Sequence, residues 1–411
     1  MKKLMTLLMV VSVFFLAGCN FLGEEETENT TVDYTNFIKV STADELMEMD
    51  VHKSYELDQD IDLNGQEWTP IGTFNMPFRG HFNGNGYTIS NFKITENHLG
   101  YNGLFGYVEG DIENLNVIDF DINISSDFLV NVGGLVGSTY GSVTNVYVDG
   151  HIEVNSPEGN VYAGLLVGNA LTSLQKLVIS NEFKPNHISD NQASGQIIIN
   201  ESELTYVGGL IGKAHNIAII DNKVLDANIQ INSDMSTYSG GVVGHYFLYD
   251  LENTDSSLYV DKDIVYRNIA KVDFHVTSMT HVSLGGFAGY SQNVNIYNNF
   301  VLSQIYVSAS DYHLGLLVGE NWAYDIGNNL SIVESITISD DQGSYASIIG
   351  KNRTETKEIN GFYASYITSD FISQGSEVNI SDLNQVSFYE NHFTELDSAF
   401  IEMVIQLLFT E

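Results

Sequence analysis

Aromatic side chains recur at set distances from a repeated glycine along most of this 411-residue chain. Three tyrosines precede that glycine by six residues: Tyr162, Tyr206 and Tyr238. Five aromatic residues follow it by one to three positions: Tyr107, Tyr140, Tyr246, Tyr290 and Trp322. Such rings combine an apolar face with a polar tip, which suits them to stacking on sugar rings. We take the second set as candidate glycan-binding residues; the alternative is that the rings only stack on each other and stabilise the fold.

Carboxylates crowd the stretch 249–267, which contains Asp255, Asp261 and Asp263 and ends at Arg267. Carboxylate oxygens are ligands for Ca²⁺, so these three aspartates are weak candidates for a calcium site; the alternative is that they are only solvated. We assign no other metal and no cofactor. The chain contains no HExxH, GxSxG or P-loop pattern, which mark zinc proteases, serine hydrolases and nucleotide-binding enzymes. We therefore name no catalytic residue and favour a protein that is not an enzyme.

The single cysteine, Cys19, ends the string Leu16-Ala17-Gly18-Cys19. Lys2-Lys3 and an apolar run of 12 residues precede it, and that run is too short for a typical membrane span of roughly 20 residues. The string resembles the lipobox of bacterial lipoproteins. The resemblance implies that residues 1–19 are a lipoprotein signal peptide, that the Cys19 thiol is acylated and that the protein is anchored to a membrane of the cell envelope, outside the cytoplasm. The alternative is an ordinary secretory signal.

The charge balance restricts the partners of the protein. Asp and Glu number 53 against 16 Lys and Arg, for a net charge of −37. Nucleic acid is therefore excluded as a partner, because no basic patch exists to neutralise phosphates. Four glutamates lie within residues 20–36, and this polar, like-charged stretch is predicted to be a disordered tether.

The repeated glycine closes a short motif such as Gly133-Gly134-Leu135-Val136-Gly137. Eight copies close at Gly106, Gly137, Gly168, Gly212, Gly244, Gly289, Gly319 and Gly350. Successive closing glycines lie 31, 31, 44, 32, 45, 30 and 31 residues apart, and a period in this range is typical of a solenoid. The two long intervals predict insertions around residues 171–192 and 249–267.

Each repeat holds short runs rich in Val, Ile and Leu and no long helical period, which favours stacked parallel strands. An asparagine follows most closing glycines by 8 to 10 residues: Asn114, Asn145, Asn222, Asn298, Asn328 and Asn360. Because stacked coils lie about 4.8 Å apart, these amides are predicted to form a hydrogen-bonded ladder.

The segments at residues 55–72 and 78–94, together with the glycine motif, resemble the GLUG-repeat family of secreted bacterial proteins. The resemblance implies a right-handed parallel β-helix of the pectin-lyase-like kind. We predict an all-β chain with this solenoid over residues 71–380. An N-terminal cap covers residues 37–70, where Thr42 and Glu45 have capping-box spacing and predict a helix over about 42–50. A C-terminal cap covers residues 381–411, and its apolar run at 401–409 is predicted to bury the last coil.

Three functions fit these features. The first is a lipid-anchored surface protein that binds glycans or surface proteins without catalysis. The second, implied by the family resemblance, is a polysaccharide lyase or glycoside hydrolase in which Arg267 acts beside calcium held by the acidic stretch. The third is a structural spacer of the envelope.

Overall fold

The chain coils into a parallel β-helix in the computed structural model, which describes residues 36–172, 185–249, 264–322, 325–339, 343–353, 359–365, 374–393 and 396–409. Strands hold 63% of the described residues and helices 8%. Within the described ranges, each pairing between strands is parallel and joins one coil to the next. The predicted all-β parallel β-helix is therefore confirmed.

A smaller sheet of eight parallel strands runs along one side of the solenoid. Its strands are β7 (Phe105–Val108), β10 (Val136–Thr139), β12 (Val167–Leu171), β15 (Ile211–His215), β19 (Val243–Phe247), β22 (Ala288–Gln292), β25 (Val318–Trp322) and β28 (Ile349–Asn352). The closing glycine of the motif is the second residue of each of these eight strands. The repeat period therefore corresponds to one coil.

A larger sheet of 22 strands supplies the other sides of the coils. The first half consists of β1 (Phe37–Val40), β2 (Ser54–Leu57), β3 (Ile61–Glu67), β4 (Phe82–Asn83), β5 (Thr88–Ile94), β6 (Tyr101–Asn102), β8 (Ile112–Ser125), β9 (Val130–Val132), β11 (Val143–Gly164), β13 (His187–Ser189) and β14 (Gln192–Gly208). The second half consists of β16 (Ala218–Ile220), β17 (Lys223–Ser233), β18 (Ser236–Gly240), β20 (Val265–Tyr266), β21 (Ile269–Gly285), β23 (Ile296–Tyr297), β24 (Phe300–Gly315), β26 (Ile326–Ile338), β27 (Ser344–Ala346), β29 (Ile359–Ser365) and β30 (Ser376–Glu377).

The core is a set of aliphatic columns that run along the solenoid axis. Ile152 of β11 lies in register between Ile122 of β8 and Ile197 of β14, and all three side chains are buried. Full burial of such a side chain stabilises a fold by about 1.5–3 kcal/mol. Like residues therefore stack on like residues from one coil to the next.

The closing glycine is required because neighbouring backbone occupies the space of a side chain. A Cβ on Gly212 would lie 2.5 Å from the backbone nitrogen of Ala163 and 2.6 Å from the carbonyl oxygen of Gly168. Real Cβ atoms do not approach other atoms so closely. Backbone atoms cannot relieve the clash by changing rotamer, as a side chain can. The motif thus marks the place where each strand of the smaller sheet packs against the preceding coil.

A buried asparagine ladder follows one corner of the solenoid, but mostly on other residues than those predicted. Its members are Asn191, Asn222, Asn268, Asn299 and Asn329. Each Nδ2 donates to the Oδ1 of the next member along the chain, at 3.0, 3.0, 2.9 and 3.1 Å. Of the predicted set, only Asn222 belongs to this ladder.

The other predicted asparagines lie elsewhere. Asn145 donates to Asn114 at 2.7 Å and Asn114 donates to Asn83 at 3.2 Å, which makes a second, more exposed row of asparagines. Asn298 and Asn328 precede ladder residues and form the corner itself, with φ of 54° and 51°; asparagine tolerates this left-handed conformation. The prediction was wrong by one position there, because the corner turns the following residue inward. The side chain of Asn360 lies outside the described part of the chain.

Helix α1 (Ala43–Met47) confirms the predicted capping box. The Thr42 hydroxyl accepts a hydrogen bond from the Glu45 N–H at 3.2 Å, and the Glu45 carboxylate accepts one from the Thr42 N–H at 3.1 Å. Leu46 anchors the helix in the core with no exposed surface. The helix is shorter than predicted and ends at the C-cap residue Glu48.

Three C-terminal helices cover the side of the solenoid: α2 (Ile380–Leu383), α3 (Val386–His392) and α4 (Ser398–Phe409). They bury a second hydrophobic core that contains Ile269, Phe300 and Leu330 from successive coils. These strands are apolar on both faces, because neighbouring residues such as Ala270 face the first core and strand side chains alternate between faces. The C-terminal segment was expected to bury the last coil; instead it covers several coils from outside.

Both insertions follow strands of the smaller sheet in the chain, β12 and β19. The Asn186 N–H donates to the Thr172 hydroxyl at 3.0 Å and closes the base of the first. Cys19, the predicted tether up to residue 35 and Asp255, Asp261 and Asp263 lie outside the described residues. Among the described residues, no helix combines the length and apolar character needed to cross a membrane.

Candidate functional site

Side chains from the two sheets meet along an axial line that we call the seam. One side carries the register column Tyr101, Asn131, Tyr162, Tyr206, Tyr238, Ser283 and His313. The other side carries the residue that follows each closing glycine: Tyr107, Ser138, Asn169, Lys213, His245, Tyr290, Glu320 and Lys351. The turn between the two sheets brings these columns into contact.

The middle of the seam is a stack of rings. The Tyr162 and Tyr206 rings are stacked with centroids 5.0 Å apart, and Lys213 Nζ lies 4.9 Å from the Tyr162 ring centre. His245 lies between Tyr206 and Tyr290, with both ring centroids 4.5 Å away. The faces of these rings are covered by one another. In this part of the seam, this favours the alternative that the rings only stabilise the fold.

Burial perturbs the ionisable groups of this stack. Burial raises the pKa of Tyr206 and lowers the pKa of Lys213. Burial, assisted by the Lys213 charge, lowers the pKa of His245 to about 3. Histidine is therefore held neutral here, as a flat ring between two tyrosines.

The five candidate aromatic residues do not form one surface. Tyr107 and Tyr290 lie in the seam, Tyr140 lies beside Tyr107 with centroids 5.9 Å apart, and Trp322 lies at the C-terminal end, 38% exposed. Tyr246 is 1% exposed, and its hydroxyl donates to the Ile217 carbonyl oxygen at 2.8 Å. The inclusion of Tyr246 was wrong, because the second residue after a closing glycine faces the core.

An aromatic cluster closes the N-terminal end of the seam: Phe74, Tyr101, Tyr107 and Tyr140. The Phe74 ring is parallel to that of Tyr101 with centroids 6.4 Å apart, and edge-on to that of Tyr107 at 5.4 Å. Phe74 is 62% exposed. Sequence reasoning missed it because it lies in the loop before the first repeat, and it missed Tyr101 because that tyrosine precedes Gly106 by five residues instead of six.

An ionic cluster closes the C-terminal end. His313 Nδ1 lies 3.1 Å from a Glu320 carboxylate oxygen, and His281 Nδ1 lies 2.8 Å from an Asp311 carboxylate oxygen. Arg353 and Trp322 donate to Glu320 at 2.8 and 3.0 Å.

Burial and hydrogen bonding shift the pKa of Glu320 in opposite directions. Burial opposes its ionisation, but the hydrogen bonds from His313, Arg353 and Trp322 outweigh it and lower the pKa of Glu320 to about 2. Burial also lowers the pKa of His281. The signal for this cluster was present in the repeat: His313 and Glu320 occupy the same two seam positions as the tyrosines.

Arg267 is held by a bidentate ion pair with Asp221, through Nε at 2.7 Å and through Nη2. The hydrogen bond that Arg267 donates to Asp221 raises the pKa of the guanidinium. The pair lines a cavity of about 320 Å³ beneath helix α4, beside Asp397 and Phe400. A guanidinium fixed in this way remains protonated and stabilises the corner of the coil.

Replacing His245 by phenylalanine should flatten the dependence of stability on pH. Above pH 6.5 the ring is neutral in both states. As the pH falls from 6.5 towards 3, the unfolded chain takes up a proton that the folded seam excludes, so the free energy of unfolding falls by up to about 1.4 kcal/mol per pH unit. Chemical unfolding at pH 7 and pH 4 measures the difference. The wild type should lose more stability than His245→Phe, on the order of 3 kcal/mol; equal losses would contradict the assignment.

Comparison with known proteins finds a motif match within the repeats. Residues 129–155 match the GLUG motif. They comprise β9, β10, the corner between them and the first part of β11. This match covers most of one coil of the solenoid.

Two curated relatives share short segments with this chain. "Putative Gly-rich membrane protein" of Evansella cellulosilytica is 39% identical over 103 residues, which are 23% of this chain and 12% of that protein. "Halomucin" of Haloquadratum walsbyi is 31% identical over 124 residues, 26% of this chain and 1% of that protein. The chain thus spans only a small part of either relative.

A solved structure, described as a putative immunoglobulin A1 protease from Bacteroides ovatus, superposes on 85% of this chain and 86% of its own. It is 13% identical with a TM-score of 0.39, which is too low to support an argument.

Proposed function

We propose that this protein is a cell-surface β-helix that binds glycans through the aromatic side chains at the ends of its seam, without catalysis. The observation that carries the proposal is the N-terminal aromatic cluster. Phe74 presents an open apolar ring, 62% exposed, beside the rings of Tyr101 and Tyr107. An exposed aromatic ring of this kind can stack on a sugar ring.

A surface location is part of this proposal. The two relatives are named as a membrane protein and as halomucin, and these names support a place at the cell surface. We propose that acylated Cys19 anchors the chain and that residues 20–36 connect the anchor to the solenoid. The net charge of −37 would keep the body away from anionic lipid headgroups.

The structural spacer is the rival that the middle of the seam favours, because those rings stack on one another. The lyase is favoured less, because two nitrogens of the Arg267 guanidinium are engaged by Asp221. If the protein binds glycans, removal of an exposed ring should weaken glycan binding, whereas removal of a stacked ring should only lower stability. If the protein is a spacer, removal of either ring should leave glycan binding unaffected.

Replacing Phe74 by alanine should weaken glycan binding by about 5- to 30-fold, since loss of one stacked aromatic platform costs on the order of 1–2 kcal/mol. The change should alter stability by less than about 1 kcal/mol because the side chain is mostly exposed. The full chain is first screened on a glycan array with and without calcium, while released reducing or unsaturated sugars are assayed. Affinity for the best glycan is then measured by calorimetry.

Tyr206→Ala is the matched control, since it removes a ring whose face is already covered by Tyr162 and His245. It should lower the thermal unfolding midpoint and leave glycan affinity unchanged. Trp322→Ala tests the other end of the seam in the same assay. An array without signal, or a glycan bound equally by wild type and both exposed-ring variants, would contradict the proposal, and released sugar would favour the lyase.

A further inference from the structure

We propose that His281, His313 and Glu320 form a binding site for one divalent transition-metal ion of the Zn²⁺ class. Each residue offers one ligand atom, and the three atoms lie within 4.8 Å of one another. His313 and Glu320 are 7% and 5% exposed. Side chains from β21 and β24, which pair in the larger sheet, and from β25 of the smaller sheet thus converge at the C-terminal end of the seam.

The spacing of the ligand atoms matches a tetrahedral ion. His313 Nδ1 and Glu320 Oε2 lie 3.1 Å apart. Two ligands that each lie about 2.0–2.1 Å from zinc at a tetrahedral angle are separated by about 3.3 Å. The pair therefore needs only a small adjustment to bind one ion together.

The outer contacts orient the ligands. Asp311 holds Nδ1 of His281 at 2.8 Å, which directs Nε2 of that ring to a metal, as carboxylates do for zinc-bound histidines. Trp322 Nε1 and Arg353 Nε both bind Oε1 of Glu320, at 3.0 and 2.8 Å. The other oxygen, Oε2, remains for the ion, and the longer Arg353 contact to it, at 3.3 Å, would be released.

The ligand set selects the kind of metal. Two imidazoles and one carboxylate suit zinc and its neighbours, whereas calcium and magnesium prefer oxygen ligands alone. Three protein ligands leave a fourth position for water or for a group of a bound ligand. His281 lies 6.0 Å, centroid to centroid, from the Tyr238 ring, so the ion would lie in the seam and not beyond it.

The test is zinc binding by the full chain after treatment with a chelator. Calorimetry should give one Zn²⁺ per chain with a Kd of about 1 μM or lower, and Co²⁺ should give the visible absorption of a tetrahedral ion. Trp322 fluorescence should change on binding because Trp322 bonds directly to Glu320; the other tryptophan, Trp68, is buried in the core.

Four substitutions locate the ion. His281→Ala and Glu320→Gln should each weaken zinc binding about 100-fold, and Asp311→Asn about tenfold as an outer-contact variant. His275→Ala is the matched control: it lies on the same strand, β21, but stacks on Tyr306, and its zinc affinity should equal that of the wild type. Circular dichroism and thermal unfolding check the fold of each variant.

Zinc affinity that is unchanged in His281→Ala, Glu320→Gln and Asp311→Asn, or no saturable binding up to about 1 mM, would overturn the proposal. If Glu320→Gln fails to fold, His281→Ala and Asp311→Asn decide, and Asp311 is half exposed, so its substitution should leave the fold intact. The measurement uses no glycan, so its outcome is independent of the glycan-binding proposal.

Discussion

Asn268→Ala is expected to lower the free energy of unfolding by about 3–5 kcal/mol, because it leaves several buried polar groups without partners. Asn268 is the central member of the asparagine ladder and is completely buried. Its Oδ1 accepts from both the N–H and the Nδ2 of Asn222, at 3.1 and 3.0 Å. Its Nδ2 donates to Asn299 Oδ1 and to the Ile219 carbonyl oxygen, both at 2.9 Å.

Alanine cannot replace any of these hydrogen bonds, and water has no access to the groups that lose them. Each unpaired buried donor or acceptor costs about 1–3 kcal/mol. The effect should also spread, because every ladder amide orients the next one along the axis. Hydrogen exchange should accordingly accelerate in the coils on either side of Asn268.

Urea unfolding followed by circular dichroism measures the change, with hydrogen exchange to locate it. Asn123→Ala is the control: its Nδ2 also bonds to the next coil, to Glu153 at 3.2 Å, but at an exposed site. That variant should lie within about 0.5 kcal/mol of the wild type. If Asn268→Ala proves as stable as Asn123→Ala, the ladder does not have the stabilising role inferred for it.

Gly141→Ala is expected to prevent normal folding or to destabilise the chain by more than about 4 kcal/mol. A Cβ at this position would lie 1.6 Å from the carbonyl oxygen of Gly110. A Cβ on Gly110 would likewise lie 1.8 Å from the carbonyl oxygen of Gly80. Three successive coils therefore approach each other through glycines, and relief of the clash would separate paired strands.

The comparison that isolates this steric effect is Gly86→Ala. Gly86 has a φ of +80° and no atom within 4 Å of its would-be Cβ, so alanine there meets only backbone strain of about 1 kcal/mol. Soluble yield and thermal unfolding of the two variants are compared with the wild type. Similar stability for both variants would show that the coils can separate at Gly141 without a large cost.

Much of the fold could be predicted because its physical demands repeat once per coil. The closing glycines recur since each strand of the smaller sheet meets backbone of the preceding coil, as at Gly212. The capping box at Thr42 was equally readable because it depends on residues only three positions apart. The C-terminal helices were misjudged, since an apolar run does not specify which apolar surface it covers.

The candidate site was predicted only in part. Tyr107, Tyr290 and Trp322 were selected as candidate glycan-binding residues because they follow a closing glycine by one to three positions, and the structure places them in the seam and at its end. Tyr246 was misplaced, since one position along a strand reverses the face. Phe74 was missed because it lies before the first repeat. The cluster around Glu320 was missed because it joins side chains of three coils, from His281 to Arg353.

The amino-acid sequence by itself determined the solenoid, its period and the positions of its tight backbone contacts, because these depend on steric requirements repeated in every coil. Only the tertiary structure decided which side chains meet. Tyr206 contacts His245, and His281 approaches His313, through the register between coils. Register also decided whether an aromatic ring is stacked, buried in the core or open to a ligand, and these three environments have different chemistry.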